Sequence, residues 1–113
     1  MKEYQLGEFE EIVLLTVAIL QEGAYGVAIR QEIEQRAQRK VSVSALQTAL
    51  RRMEKKGYLE SAFGEATAVR GGKRKRYFKV TKMGVKALEH TRDIRTELWS
   101  AVPKMSFDFS WTY

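Results

Sequence analysis

Residues 41–61, VSVSALQTALRRMEKKGYLES, and residues 71–81, GGKRKRYFKVT, decide the fold of this chain. The apolar residues of the first stretch recur at helical spacing and predict an amphipathic helix with a polar outer face. Ser42 is suited to cap its start, although Ser44 with Gln47 forms an alternative capping pair about two residues later. The residues spaced to face a core are Leu46, Ala49, Leu50 and Met53.

The second stretch predicts an antiparallel hairpin. Gly57 is expected to end the preceding helix, after which residues 58–63 and 75–81 have the composition of two strands. Residues 64–74 between them contain Gly64 and the pair Gly71-Gly72, so we expect this segment to form a wing. The tip of the wing and the strand that returns from it are strongly basic.

The positive charge is concentrated in this part of the chain. Residues 51–86 hold twelve Lys and Arg against three acidic residues, a local charge of +9, whereas the whole chain carries +6. A basic surface beside an exposed helix indicates a nucleic-acid partner. An anionic membrane surface is the alternative, but the basic amphipathic helix typical of such binders is missing from the sequence.

Composition and length exclude several classes of protein. The chain has 113 residues, 44% of them hydrophobic and 30% charged, as expected for one small globular domain. It has no cysteine, so disulfides and thiolate metal sites are excluded. The longest apolar run, residues 12–20, is too short for a membrane span, and the acidic N-terminal stretch is unlike a signal peptide. We therefore expect a cytoplasmic protein without membrane association.

No catalytic or metal-binding arrangement is recognisable. The single histidine, His90, has only Glu89 and Asp93 nearby on a predicted helix face, and a metal site needs three or four converging ligands. A nucleophile next to a base is missing, and Gly71-Gly72 lacks the strand–loop–helix context of a phosphate-binding loop. We expect neither enzyme activity nor a cofactor.

Three further helices complete the expected architecture. Residues 6–22 predict a helix that is apolar nearly all round, although a strand is the competing prediction for residues 12–20. A second helix should run from about Tyr25 to Arg39, and a fourth from Lys82 to Val102 after a Thr81 cap. The two apolar faces of the first helix are Leu6, Phe9, Val13, Val17 and Leu20, and Ile12, Leu15 and Ile19. The inner face predicted for the second is Val27, Ile29, Ile33 and Ala37.

The first and fourth helices carry more apolar surface than a core of this size can cover. Such surface usually meets a partner, so we expect a homodimer through these two helices. The predicted interface residues are Phe9, Val13, Leu88, Ile94, Leu98, Trp99 and Val102.

The fold class expected from these elements is mainly α with a small β-hairpin. The arrangement is a winged helix-turn-helix followed by a long C-terminal dimerisation helix. Residues 1–81 would form the DNA-binding domain, residues 82–103 the dimerisation helix and residues 104–113 an aromatic tail. Residues 105–113 alternate apolar and polar, which predicts a docking strand or a segment that orders only on a partner.

With these elements in place, the chain resembles the PadR family of transcriptional regulators. The resemblance is carried by residues 24–29, by residues 42–59, by residues 72–81 and by Gly84. It implies a dimeric winged-helix repressor on a near-palindromic operator, with the third helix and the wing on DNA and the fourth helix joining the protomers. The chain is similar to the short subfamily, some members of which bind flat aromatic compounds at the dimer interface. It departs from the family at Gln47, where an aromatic residue is usual.

The residues expected to contact double-stranded DNA follow from this arrangement. Four side chains of the third helix would contact base edges, and the basic residues beside them and in the wing would hold phosphates. Ser42 is included as the first residue of the same surface. The base-contacting set is Ser44, Gln47, Thr48 and Arg51, and the phosphate set is Arg52, Lys55, Lys73, Arg74, Lys75 and Arg76.

Two alternatives stay open at this point. Trp99 either packs in the dimer interface or stacks on a small aromatic effector. The whole chain could instead be a protein-interaction module that uses the fourth helix and the aromatic tail, with only non-specific affinity for DNA.

Overall fold

The computed structural model describes residues 4–64 and 74–104. Five helical segments and two strands follow one another along these residues. They are α1 (Glu8–Leu20), a 3₁₀ turn (Gln21–Gly23), α2 (Gly26–Ala37), α3 (Val43–Lys56), β1 (Leu59–Phe63), β2 (Arg76–Val80) and α4 (Lys82–Ala101). The expected class, mainly α with a small hairpin, is confirmed. The tail of residues 105–113 and most of the wing tip lie outside the described residues.

Residues 8–20 form a helix, α1, and the competing prediction of a strand is wrong. The acidic side chains of its first turn are stabilised by the positive end of the helix dipole. The buried residues of α1 are Glu10, Val13, Leu14, Thr16 and Val17. Leu15 and Ile19 are exposed on the other side. Only one of the two apolar sides therefore enters the core of the protomer.

Helix α2 is shorter than predicted, and fewer of its residues pack against the core. It ends at Ala37, two residues before Arg39, because Gln38 adopts a left-handed conformation with φ 50°. Ile29 and Ile33 are buried. The prediction that Val27 and Ala37 also face the core is wrong. Val27 lies two residues, about 200° of helix rotation, from Ile29, and Ala37 is the exposed last residue of α2.

Helix α3 begins and ends at the predicted residues. The Ser42 hydroxyl accepts a hydrogen bond from the Ala45 amide at 3.1 Å, so Ser42 is the cap. At the other end, Gly57 has φ +85°, a conformation that side chains disfavour. Helix α3 buries the four predicted residues, Leu46, Ala49, Leu50 and Met53.

The hairpin joins the helical layer at one edge. Leu59 pairs with Val80 and Phe63 with Arg76 in an antiparallel register. On its outer side, the Phe78 amide donates to the Ala24 carbonyl at 2.8 Å, so β2 is also held to the connection before α2. The Phe78 side chain is itself buried, so both its backbone and its side chain attach the base of the wing to the core.

Helix α4 starts on the hairpin and then leaves the core. The Thr81 hydroxyl accepts from the Gly84 amide at 3.0 Å and donates to the Gly57 carbonyl at 2.6 Å, which fixes the helix start against the end of α3. Gly84 and Ala87 are buried. Residues 92–101 are all exposed, and the helix ends at Ala101, two residues before Pro103. Half of this helix therefore projects from the protomer.

Candidate nucleic-acid interface

The exposed face of α3 consists of two parallel rows of side chains. Residues four apart on a helix lie above one another, so the face divides into rows with that spacing. The Gln47 ridge is Val43, Gln47, Arg51 and Lys55, and the Thr48 ridge is Ser44, Thr48 and Arg52. Every one of these side chains is exposed. The predicted outward residues of α3 therefore share one surface, to which the structure adds Val43.

The Gln47 ridge faces the start of α2 and the base of the wing. Val43 and Gln47 line a cavity of about 260 Å³ together with Val27, Lys75 and Arg76. The Gln47 amide nitrogen lies 3.6 Å from where a side chain on Gly26 would begin, an ordinary van der Waals distance, so Gln47 lies against the start of α2. Three elements thus bring polar, basic and apolar groups to one edge.

The basic residues at the base of the wing have different surroundings. The Lys75 ammonium lies 4.2 Å from the centre of the Tyr25 ring, a cation–π contact that holds it beside α2. Arg76 donates to the Ser61 hydroxyl at 2.8 Å and lies 3.8 Å from the Glu54 carboxylate, so part of its charge is already compensated. Arg74 is exposed. Lys73 lies outside the described residues.

The Thr48 ridge faces the acidic start of α1. Ser44, Thr48 and Arg52 line a second cavity, of about 570 Å³, with Glu8 and Glu10 on its far side. Burial raises the pKa of Glu10, but the Gly7 amide, the Lys56 ammonium and the charge of Arg52 together leave that pKa below its ordinary value. Arg52 therefore lies across this cavity from two carboxylates of α1.

Ser42 differs from the other predicted DNA contacts because its oxygen already has a role. It accepts the capping bond from Ala45, and the Ser44 hydroxyl is 3.5 Å away. Ser42 lies at the edge of the surface with its hydroxyl engaged by the protein.

The exposed half of α4 carries a second, apolar surface. Leu98 is 63% and Trp99 66% exposed, and Ile94 and Val102 are exposed as well. The Arg95 guanidinium lies 2.9 Å from the Glu11 carboxylate, so one ion pair links the start of this projecting half to α1. No helix among the described residues is long and apolar enough to cross a membrane.

The other residues predicted for the dimer interface are less available. Leu88 and Phe9 are partly buried against the core, and an Arg39 guanidinium covers the Phe9 ring at 5.2 Å. Val13 is fully buried within the protomer. The exposed apolar residues of α1 are Leu15 and Ile19, which belong to the second of its two predicted apolar faces.

Other parts of the described chain offer less chemistry. A third cavity, of about 670 Å³, lies between the end of α1 and the hairpin, where no sequence motif predicted one. Its walls include Val17, Gln21, Tyr77 and Lys79. The His90 ring contacts the Tyr4 ring at an interplanar angle of 47°, with ring centres 5.4 Å apart. Within residues 4–64 and 74–104, the acidic and histidine side chains form no group that could hold a metal ion.

Residues 14–90 match a family model described as the transcriptional regulator PadR-like family. The match runs from the middle of α1 through both helices of the helix-turn-helix and the hairpin into α4. No curated protein matches the chain significantly.

Solved structures with this architecture are similar to the chain over most of its length. A PadR family transcription regulator from Clostridium difficile is 25% identical, over 79% of this chain and 91% of that one, with a TM-score of 0.63. A PadR family regulator from Eggerthella lenta is 24% identical, over 89% and 88%, with a TM-score of 0.67. A PadR-like regulator from Bacillus cereus is 21% identical, over 81% and 84%, with a TM-score of 0.66. At their identities, the last two establish the fold alone.

Proposed function

Because the chain belongs to the PadR-like family of transcriptional regulators, we propose that it is a dimeric, sequence-specific DNA-binding repressor. The family consists of DNA-binding regulators rather than enzymes. The single observation that supports this function best is the exposed Gln47 ridge of α3, which lies beside the basic base of the wing. A protein of this function works in the cytoplasm, where its operator is accessible.

The two ridges would have different tasks on DNA. The recognition helix of a helix-turn-helix enters the major groove and contacts base edges with its N-terminal residues. Gln47 and Thr48 would then contact bases, and glutamine suits adenine. Lys55 on α3, and Arg74 and Lys75 at the wing, would hold phosphates. Arg52 lies next to the carboxylates of α1, which would partly neutralise its charge. It would therefore bind a phosphate more weakly than an isolated arginine.

The function is tested by measuring affinity for DNA at two salt concentrations. Fluorescence anisotropy would compare DNA from upstream of the chain's own coding region with a scrambled duplex. A preference of about 10³-fold or more is expected for a sequence-specific binder. Weak binding that is equal on both duplexes and disappears with salt would leave only a generic basic surface.

Arg51→Ala distinguishes a base contact from a phosphate contact. We expect a loss of about 1–3 kcal/mol on the preferred DNA and relaxed specificity at one position. Lys40→Ala is the matched control, because Lys40 is an exposed basic residue outside α3 and the wing. An equal loss on preferred and scrambled DNA would assign Arg51 to a phosphate.

The exposed apolar half of α4 supports the dimer and a place for an effector. Leu98, Trp99 and Ile94 would pack against the partner's α4, next to the exposed side of α1. We further propose that a flat aromatic compound binds at Trp99 and releases the repressor. Addition of such compounds should lower DNA affinity in the anisotropy assay. Trp99→Ala should remove that response at protein concentrations at which light scattering shows that the variant is still a dimer.

A further inference from the structure

Two exposed valines on the α3 side of the molecule have no structural task. Val27 is 58% and Val43 57% exposed, in the first turns of α2 and α3. The other large exposed apolar side chains of the described residues lie on α1, on α4 and its end, or at Phe63, whose ring is covered by Arg76 at 5.1 Å. Neither the protomer core nor the proposed dimer surface therefore accounts for the two valines.

The two valines share one place. Both line the 260 Å³ cavity between α2, α3 and the base of the wing, together with Gln47. Arg30, Lys75 and Arg76 line the same cavity, so cationic side chains flank an apolar spot. Arg30 donates to the Val41 carbonyl and lies 3.7 Å from Glu34, so part of its charge, like that of Arg76, is compensated within the protein. A partner of matching chemistry carries negative charge at its edges and a small apolar group between them.

The major groove of DNA has this chemistry. Each phosphate is negative, and thymine presents a 5-methyl group that is the one apolar feature among the base edges of that groove. Apolar side chains discriminate thymine through contact with this methyl. Val43 is the first residue of α3 and lies one turn before Gln47, so both point to the same region of the groove.

On this basis, and resting on the proposed function, we propose that Val43 and Val27 form a thymine-methyl reader beside Gln47. The operator half-site would contain thymine at the position facing the valines, next to the base pair that Gln47 contacts. Specificity would come from two different interactions, a hydrogen-bonding amide and an apolar contact. Uracil at that position keeps every hydrogen bond of thymine and lacks only the methyl group.

The experiment removes this methyl group from the DNA and from the protein in turn. The full chain selects its preferred duplex from a random pool, and each thymine of that duplex is then replaced singly by uracil. We expect affinity to fall about three- to fivefold at one or two positions in each half-site, the effect of one buried methyl group. Replacement at flanking positions should change nothing.

The protein variants identify the side chain responsible. With Val43→Ala, uracil and thymine should bind equally at the sensitive position, and with Val27→Ala the difference should shrink. Val85→Ala makes the same change at an exposed valine on α4 and should keep the full thymine preference. Thermal melting of each variant confirms that it is folded, and the uracil series on the unaltered chain does not depend on any variant.

Three results would overturn the inference. Uracil tolerated at every position would remove the methyl reader while leaving sequence-specific binding intact. A uracil penalty that persists in both valine variants would assign the methyl contact elsewhere. Recovery of no preferred sequence from the pool would remove the proposed function together with this inference, so the two failures are distinguishable.

Discussion

Lys56 and Glu10 hold the N-terminal segment against the end of α3. The Lys56 ammonium lies 2.9 Å from a carboxylate oxygen of Glu10 and donates to the Gln5 carbonyl at 2.9 Å. The Gly7 amide donates to the same Glu10 oxygen. The second Glu10 oxygen is buried and has no partner among the described residues. A carboxylate with this much burial contributes stability only while it is charged and hydrogen-bonded.

The lowered pKa of Glu10 predicts a loss of stability in acid. A carboxyl group whose pKa is lower when folded stabilises the protein above its unfolded pKa, about 4.3 for glutamate, and this contribution is lost as the pH falls through the folded value. Glu10→Gln should therefore lower stability by about 1–3 kcal/mol at pH 7. The melting temperature of Glu10→Gln should lie below that of the unaltered chain at pH 7, and this difference should narrow as the pH is lowered to 3.

A matched control for this prediction is Glu22→Gln, which removes a carboxylate from an exposed position. Its melting temperature at pH 7 should equal that of the unaltered chain. A gap between Glu10→Gln and the unaltered chain that stays constant down to pH 3 would contradict a stabilising charge on Glu10.

At the scale of single residues, capping was predictable and the direction of some side chains was not. Gly57 acts locally, through one positive φ, so the sequence is sufficient for it. Ser42 and Ser44 are both candidate caps in the sequence, and the hydrogen bond from the Ala45 amide selects Ser42. Val27 was predicted to face the core because it is apolar, yet it is exposed. Val13 is predicted to lie in the dimer interface but is buried within the protomer. The sequence of a helix that is apolar on nearly all sides does not indicate which side packs against its own core.

At the scale of elements, α4 is seated by a contact that tolerates no side chain. A methyl group on Gly84 would lie 2.3 Å from the Tyr58 carbonyl oxygen and 2.8 Å from a Val80 methyl. The oxygen belongs to the backbone, between the end of α3 and β1, and cannot turn away. The start of α4 therefore packs directly on the chain that links the helix-turn-helix to the hairpin.

Gly84→Ala should destabilise the protein strongly. Overpacking of this kind typically lowers the free energy of unfolding by about 1–3 kcal/mol. Because the atom in the way belongs to the backbone and cannot rotate aside, we expect the loss for Gly84→Ala to be at or above the upper end of that range. Chemical denaturation followed by circular dichroism measures the change. Gly23→Ala is the control, because nothing lies within 4 Å of its added methyl group, and it should be neutral or slightly stabilising. Equal stability of the two variants would mean that α4 can move without cost.

The order and type of the elements were predicted from sequence, and their ends differ by one or two residues. Periodicity and caps determine where α3 and α4 form, so these were predictable. The end of α2 depends on Gln38, a residue without the usual preference for a left-handed conformation. The 670 Å³ cavity beside the hairpin depends on how α1 and β2 pack, which no local pattern encodes.

At the scale of the whole molecule, the protomer has a compact winged helix and a projecting apolar arm. One ion pair, between Arg95 and Glu11, links the base of this arm to α1. Leu98 and Trp99 are more than 60% exposed on it, and Leu15 and Ile19 are exposed on α1. Apolar surface of this extent supports a partner of the same kind, because two arms related by a two-fold axis would cover each other.

Leu98→Asp should convert the proposed dimer to a monomer. A charge in the centre of an apolar interface loses its hydration without a counter-charge, so association should become undetectable at micromolar concentration. Light scattering on a size-exclusion column gives the mass. Thr96→Asp adds the same charge two residues away, on a different side of the helix, and should remain dimeric. A dimer that persists in Leu98→Asp would transfer the interface to the exposed side of α1.

The position of the tryptophans has a spectroscopic consequence. The chain has two, Trp99 and Trp111, and both follow the winged helix in sequence. Trp99 lies on the arm and Trp111 lies outside the described residues, so in a Trp111→Phe variant the indole emission would report the environment of the arm. Diluting the protein should shift the emission of the 66%-exposed Trp99 to longer wavelength as protomers separate, while far-ultraviolet circular dichroism stays constant. Fluorescence would thus report on dimer assembly, and circular dichroism would report on folding, in the same sample.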